Sequence, residues 1–178
     1  MAPTRMKPYI TDAFHDGRYV LPFQVEGLSA GQLGKPFEAS RVLAYGVPKS
    51  QTLEAAWLFR LILESGWILD LSSACTGVGR WQEIGSLNLA FAREGADATA
   101  IEWVINPIED FQIASVERLI FEDAEVYSES GITLKDTTHR EIVVAAGVAP
   151  GSVSVSILAS TTPLQSEFEV ERLTRRPI

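Results

Sequence analysis

The chain has 178 residues, 46% of them apolar, and a formal net charge of −8. That length suits one ordinary domain, with enough apolar material to bury a core without metal or disulfide support, so a single domain over residues 1–178 is expected. The lone cysteine, Cys75, excludes an internal disulfide, and the acidic balance repels phosphate backbones and anionic lipid, so neither nucleic acid nor membrane is expected as a partner.

Residues 1–20 lack the continuous apolar stretch of a secretory signal, and no apolar run approaches the ~20 residues a membrane helix needs. Together with the unpaired cysteine, this predicts a soluble cytoplasmic protein. Residues 1–52 hold five of the nine prolines around short apolar clusters, "YVLPFQV" and "RVLAYGV". They read as an extended N-terminal arm or edge strands, because proline is poorly tolerated in a central strand. The "HDGR" at His15–Arg18 reads as a polar turn rather than a metal dipeptide.

"AAWLFRLILESGWILDLSS" (55–73) is the clearest hairpin. Trp57, Phe59, Leu61 and Leu63 alternate with Leu58, Arg60, Ile62 and Glu64, and alternation resumes at Trp67, Leu69 and Leu71. Gly66 supplies the positive φ of the turn. "ACTGVGR" (74–80) reads as a loop, "SLNLAF" (86–91) as a strand, and "TAIEWVI" (99–105) as a strand ending before Pro107. "FQIASVERLIF" (111–121) fits a helix or a strand. Residues 124–147 read as up to three short strands, with turns at Ser128–Gly131 and Asp136–His139. "SVSVSILAS" (152–160) predicts a strand with one wet side, and "EFEVERL" (167–173) a protected edge strand. The tripeptide Glu-Ser-Gly occurs at 64–66 and again at 129–131. The likeness fades after about six residues, too short for a repeat, so shared hairpin chemistry is the expectation. The predicted fold is mainly β, about eight to ten strands forming an antiparallel sandwich or partly open barrel, with a β-rich α+β fold as second choice.

No catalytic signature stands out. A nucleophilic Cys75 would need a base such as His139 oriented by Glu141, and nothing local places them beside it. Two histidines and one cysteine do not make a closed zinc site. "GVGR" (77–80) is too short for a dinucleotide fingerprint and no P-loop lysine follows. Neither metal nor cofactor is expected, and the protein reads as more binder than enzyme.

Charge is the informative feature. Residues 94–129 carry ten carboxylates against Arg118 alone. Glu102, Glu109, Asp110, Glu122, Asp123 and Glu125 are therefore the expected contact residues, with Trp81 and Glu83 of the "GRWQE" loop (79–83) as an exposed aromatic platform. The function expected is a non-catalytic module for a basic protein partner, such as an inhibitor or an immunity-type, toxin-neutralising protein. A ligand-binding or enzymatic barrel using Trp81, Glu83, Cys75 and His139 is the alternative. A structural subunit of a larger assembly is another, and a homo-oligomer is compatible with either.

Overall fold

The computed structural model describes residues 14–15, 17–79, 82–96, 100–158 and 164–178. In chain order the strands are β1 (Phe14–His15), β2 (Arg18–Leu21), β3 (Gln24–Glu26), β4 (Arg41–Pro48), β5 (Phe59–Leu63), β6 (Trp67–Val78), β7 (Gln82–Arg93), β8 (Trp103–Glu122), β9 (Val126–Asp136), β10 (Glu141–Ala146), β11 (Val153–Ile157) and β12 (Thr174–Pro177). These twelve exceed the number expected, and the helical structure among the described residues consists of 3₁₀ turns at Ala30–Gln32, Lys35–Phe37, Leu53–Ala55 and Val170–Arg172. The fold is mainly β, as expected. No helix of the described residues is long and apolar enough to cross a membrane.

The sheet runs β1-β2-β9-β8-β4-β5-β6-β7-β3, with β10 added to β9, β11 to β10 and β12 to β8. Most pairs are antiparallel, but β2 joins β9 and β3 joins β7 in parallel. The twenty-residue β8 makes the architecture. Its first half pairs with β4 and its second with β9, with register shifts in both ladders. Such irregularities bend a strand and increase its twist, so one strand serves both halves and the sheet folds over its own core. Phe59, Leu61, Leu63, Leu69, Leu71, Leu87 and Leu89 fill one inner face and meet Ile132, Leu134, Ile142 and Val144 of the other half. The 3.8 Å stack of Phe121 on Phe168 belongs to a second cluster with Leu21, Val78 and Ile84. Each such large apolar side chain stabilises the fold by about 1.5–3 kcal/mol when fully buried.

The 55–73 hairpin forms as the alternation predicts, through β5 and β6, with Gly66 at φ +78 in the turn. Arg60 faces away from Phe59 and Leu61, yet it is only 6% exposed. Its guanidinium makes a fork with Asp70 at 2.6 and 2.7 Å and lies 3.9 Å from the centre of the Trp103 ring.

Several expectations are corrected. The 74–80 loop is largely strand, because β6 continues to Val78 in unbroken register with β7. The strand near 99–105 passes through Pro107. The Glu102 carbonyl accepts the Lys49 N–H on the β4 side, so by alternation Pro107 directs its missing donor to the opposite edge, which no described strand pairs at that position and where proline is tolerated. Residues 111–121 are strand. The Ser128–Gly131 turn is absent, since β9 runs through it with a register shift opposite Leu119/Ile120. Gly131 therefore reverses nothing. It is small because a Cβ there would lie 2.9 Å from Leu119 Cδ1 and from the Val144 carbonyl, and the two Glu-Ser-Gly tripeptides share no turn. In β11, Ser154 is buried and accepts the Gln165 N–H at 2.7 Å, so its serine face is not wholly wet. Residues 167–173 form no edge strand; that stretch contains the 3₁₀ turn at Val170–Arg172, and pairing begins only with β12. Asp16 and the side chain of His15 lie outside the described residues.

Candidate functional site

A pocket of about 200 Å³ opens where the β6–β7 ladder meets the β10–β11 turn and the segment carrying Glu167. Strand alternation puts Ser73 and Cys75 on one face of β6. Cys75 pairs across the ladder with Gly85, and its diagonal neighbour Glu83 pairs with Gly77. The Cys75 thiol donates to Glu83 Oε2 at 3.6 Å. The Ser73 hydroxyl donates to the Ser152 carbonyl at 2.7 Å, tying the turn to β6. That turn is closed by the Gly147 N–H donating to the Ser152 carbonyl at 2.8 Å. Gly147 has no room for a side chain because the Ser152 hydroxyl occupies the space.

Glu167 enters from the far end of the chain. Its N–H donates to the Ala146 carbonyl, and its carboxylate accepts the Gly85 N–H at 2.7 Å. Only glycine allows this approach, since a Cβ at residue 85 would sit 2.6 Å from the Ala146 Cβ. The Ser128 and Ser130 hydroxyls donate to the Gly85 carbonyl at 2.8 and 3.2 Å, so this strand residue is held from both sides. Burial raises the Glu167 carboxyl above the usual carboxylate range, and the Gly85 N–H offsets part of that rise. Burial, reinforced by the charge on Glu83, pushes the Cys75 thiol up to about 11. At neutral pH it is a thiol hydrogen-bonded to a carboxylate, a poor nucleophile.

The residues expected to act together are dispersed. Glu83 lines the pocket with Cys75, while Trp81 lies outside the described residues. His139 is not a lining residue; it occupies the turn between Asp136 and Arg140 at φ +67. Glu141 pairs with Lys135 and Arg175. Among the described residues no group of three or more His, Cys, Asp or Glu side chains could hold a metal ion.

Of the described acids of 94–129, Glu102, Glu109 and Asp110 lie at or near the start of β8, and Glu122, Asp123 and Glu125 at or just past its end. At its start Glu102 meets Lys49 at 3.0 Å, and Glu109 and Asp110 are exposed where the ladder shifts register. Asp110 adopts φ +50, a conformation aspartate tolerates better than most residues, and the Arg140 guanidinium donates to its carbonyl. At the other end Glu122 pairs with Arg18 and Arg176. Asp123 accepts the N–H groups of Glu125 and Val126 at 2.8 Å as a turn cap, with Glu125 exposed beside it. Glu117 and Glu129 are drawn into ion pairs with Lys135 and Arg118. Much of the apparent acidic segment is thus consumed by internal contacts.

Glu167, Gly85 and the 147–152 turn were not anticipated as site residues. No local signal marks them, because their meeting depends on contacts across the whole chain. No protein-family model, curated protein or solved structure matches this chain.

Proposed function

We propose that this protein is a non-catalytic, acidic module that docks onto a basic protein partner in the cytoplasm, as an inhibitor or toxin-neutralising protein does. The observation that carries this reading is the start of β8. There Val104 and Ile105, on opposite faces of the strand, are each 45% exposed, Leu43 of the adjoining β4 is equally so, and Glu102, Glu109 and Asp110 are exposed along the same stretch of chain. Exposed large apolar groups bordered mainly by carboxylates, with Lys49 paired to Glu102, have the anatomy of an interface. Pro107, on an edge that no described strand pairs, discourages pairing by another strand, which favours recognition through side chains. The protonated state of Cys75 argues against a thiolate mechanism.

The test compares two baits in native lysate at low salt: the wild-type chain, and a variant combining Glu102→Gln, Glu109→Gln, Asp110→Asn and Ile105→Ser. A basic protein retained by the first and lost by the second, with retention falling as salt rises, is the expected result. Identical retention profiles for the two baits would overturn the reading.

A further inference from the structure

We propose that the pocket between Glu83 and Glu167 receives an ammonium or guanidinium group carried on a short apolar stem. This goes beyond the docking surface of β8 and stands independently of it.

Charge is the first argument. At two other places where carboxylates gather, cations lie between or beside them: Lys135 and Arg175 each lie within 4 Å of both Glu117 and Glu141. Glu122 has Arg18 and Arg176. At the pocket, Glu83 and Glu167 line the cavity together, and among the described lining residues none is Lys, Arg or His. The groups beside them are Ser73 and Cys75, whose hydroxyl and thiol are already committed as donors. A positive group from outside completes such a site with charge-assisted hydrogen bonds, stronger than neutral ones.

Shape supplies the second argument. At about 200 Å³ the pocket is smaller than the sites that enclose drug-sized ligands and suits one side-chain-sized group. Its outer lining is apolar: Val148 is 68% exposed, Pro150 stands beside it, and the Trp57 indole packs against Gly151 so closely that a Cβ there would lie 3.2 Å from Cζ3. An apolar stem beneath a cationic head matches that gradient, as lysine and arginine do. The glycines make the cavity, since Gly85 and Gly147 have no space for Cβ without displacing the side chains that shape it.

The experiment is an amide-resolved NMR titration of the full chain with n-butylguanidinium, n-butylammonium and, as the neutral analogue, n-butylurea. The expected result is saturable shifts at Gly85, Gly147, Val148 and Gly151 for both cations, weakened about tenfold in Glu83→Gln and absent for the urea. Glu167→Gln keeps an acceptor for the Gly85 N–H and should weaken binding likewise; if it does not fold, Glu83→Gln decides alone. A second arm uses arginine and lysine blocked at both ends. Binding there as tight as that of the free amines assigns the site to a partner's side chain, and much weaker binding assigns it to a small molecule. No saturable shift, equal binding by Glu83→Gln, or equal binding of the urea overturns the proposal.

Discussion

The Glu167 carboxylate accepts the backbone N–H of Gly85 at 2.7 Å across 82 residues of sequence. The contact fastens the 164–167 segment to β7 and sets a wall of the pocket, so it links the fold's integrity to that cavity.

Replacing Gly85 with alanine should destabilise the protein by about 1–3 kcal/mol, the usual range for an overpacked site. The new methyl would meet both the Ala146 Cβ and the Glu167 carboxylate. Urea unfolding measures the effect, and an unchanged midpoint would mean that Glu167 swings away freely.

Asp136 carries the most heavily bonded buried carboxylate. It accepts N–H groups from Thr138 and Arg140, the Thr138 hydroxyl and the Arg140 Nε–H, at 2.6–2.9 Å. Burial alone would raise its pKa, but these bonds outweigh burial and hold the carboxyl below its ordinary range. Its folded pKa lies below its unfolded one, so the stability it confers is present above the unfolded value and lost as pH falls through the depressed one. Asp136→Asn should cost about 1.5–3 kcal/mol at neutral pH, typical of a hydrogen bond to charge, and should flatten the acid limb of stability against pH. Denaturation midpoints across the acid range check both.

Glu167 has the opposite sign. Its raised carboxyl favours the protonated form in the folded state, so its contribution is full below the unfolded pKa and declines as pH rises through the folded one. Glu167→Gln should remove that decline while retaining the Gly85 contact. A pH series that superimposes on the wild type contradicts the assignment.

Cys75 should alkylate slowly. With its thiol pushed up to about 11, the thiolate fraction near neutral pH falls on the order of a hundredfold below that of an ordinary cysteine. Glu83→Gln removes one of the causes and should quicken the reaction with iodoacetamide. Because no second cysteine exists, mass spectrometry reads the rate directly.

The Arg60–Asp70 pair lies under Trp103. Asp70→Asn leaves a guanidinium whose side chain is 7% exposed beside a neutral amide; the expected cost is about 3 kcal/mol, since removing one partner strands the other charge. Adding Arg60→Met should recover part of it. A double variant less stable than either single one contradicts this account.

Some local signals hold and others fail. The 55–73 alternation and Gly66 announce their own hairpin, and the turn after Asp136 follows from its polar run. Gly131 shows the limit: the same tripeptide sits in mid-strand because Leu119 and Val144 crowd it, and neither is near in sequence. Pro107 misleads in the same way, since its tolerance depends on which edge of β8 is open. Of the pocket, Ser73, Cys75, Glu83 and Gly85 lie within one hairpin of sequence, whereas the 146–151 turn and Glu167 do not. Glu167 was hidden in a stretch whose alternation suggested a strand, while its neighbours were fixed by Ala146 and Gly85 from distant strands.

Strand β8 has one more consequence, for biogenesis. Its second half pairs with residues 126–136 and, on the opposite side, with Thr174–Pro177. That ladder can be laid down only after residues 174–177 have been synthesised, well after β8 itself, so the nascent chain holds part of β8 uncovered until then. High contact order of this kind makes for slow folding, and deleting residues 174–177 removes a strand paired with β8.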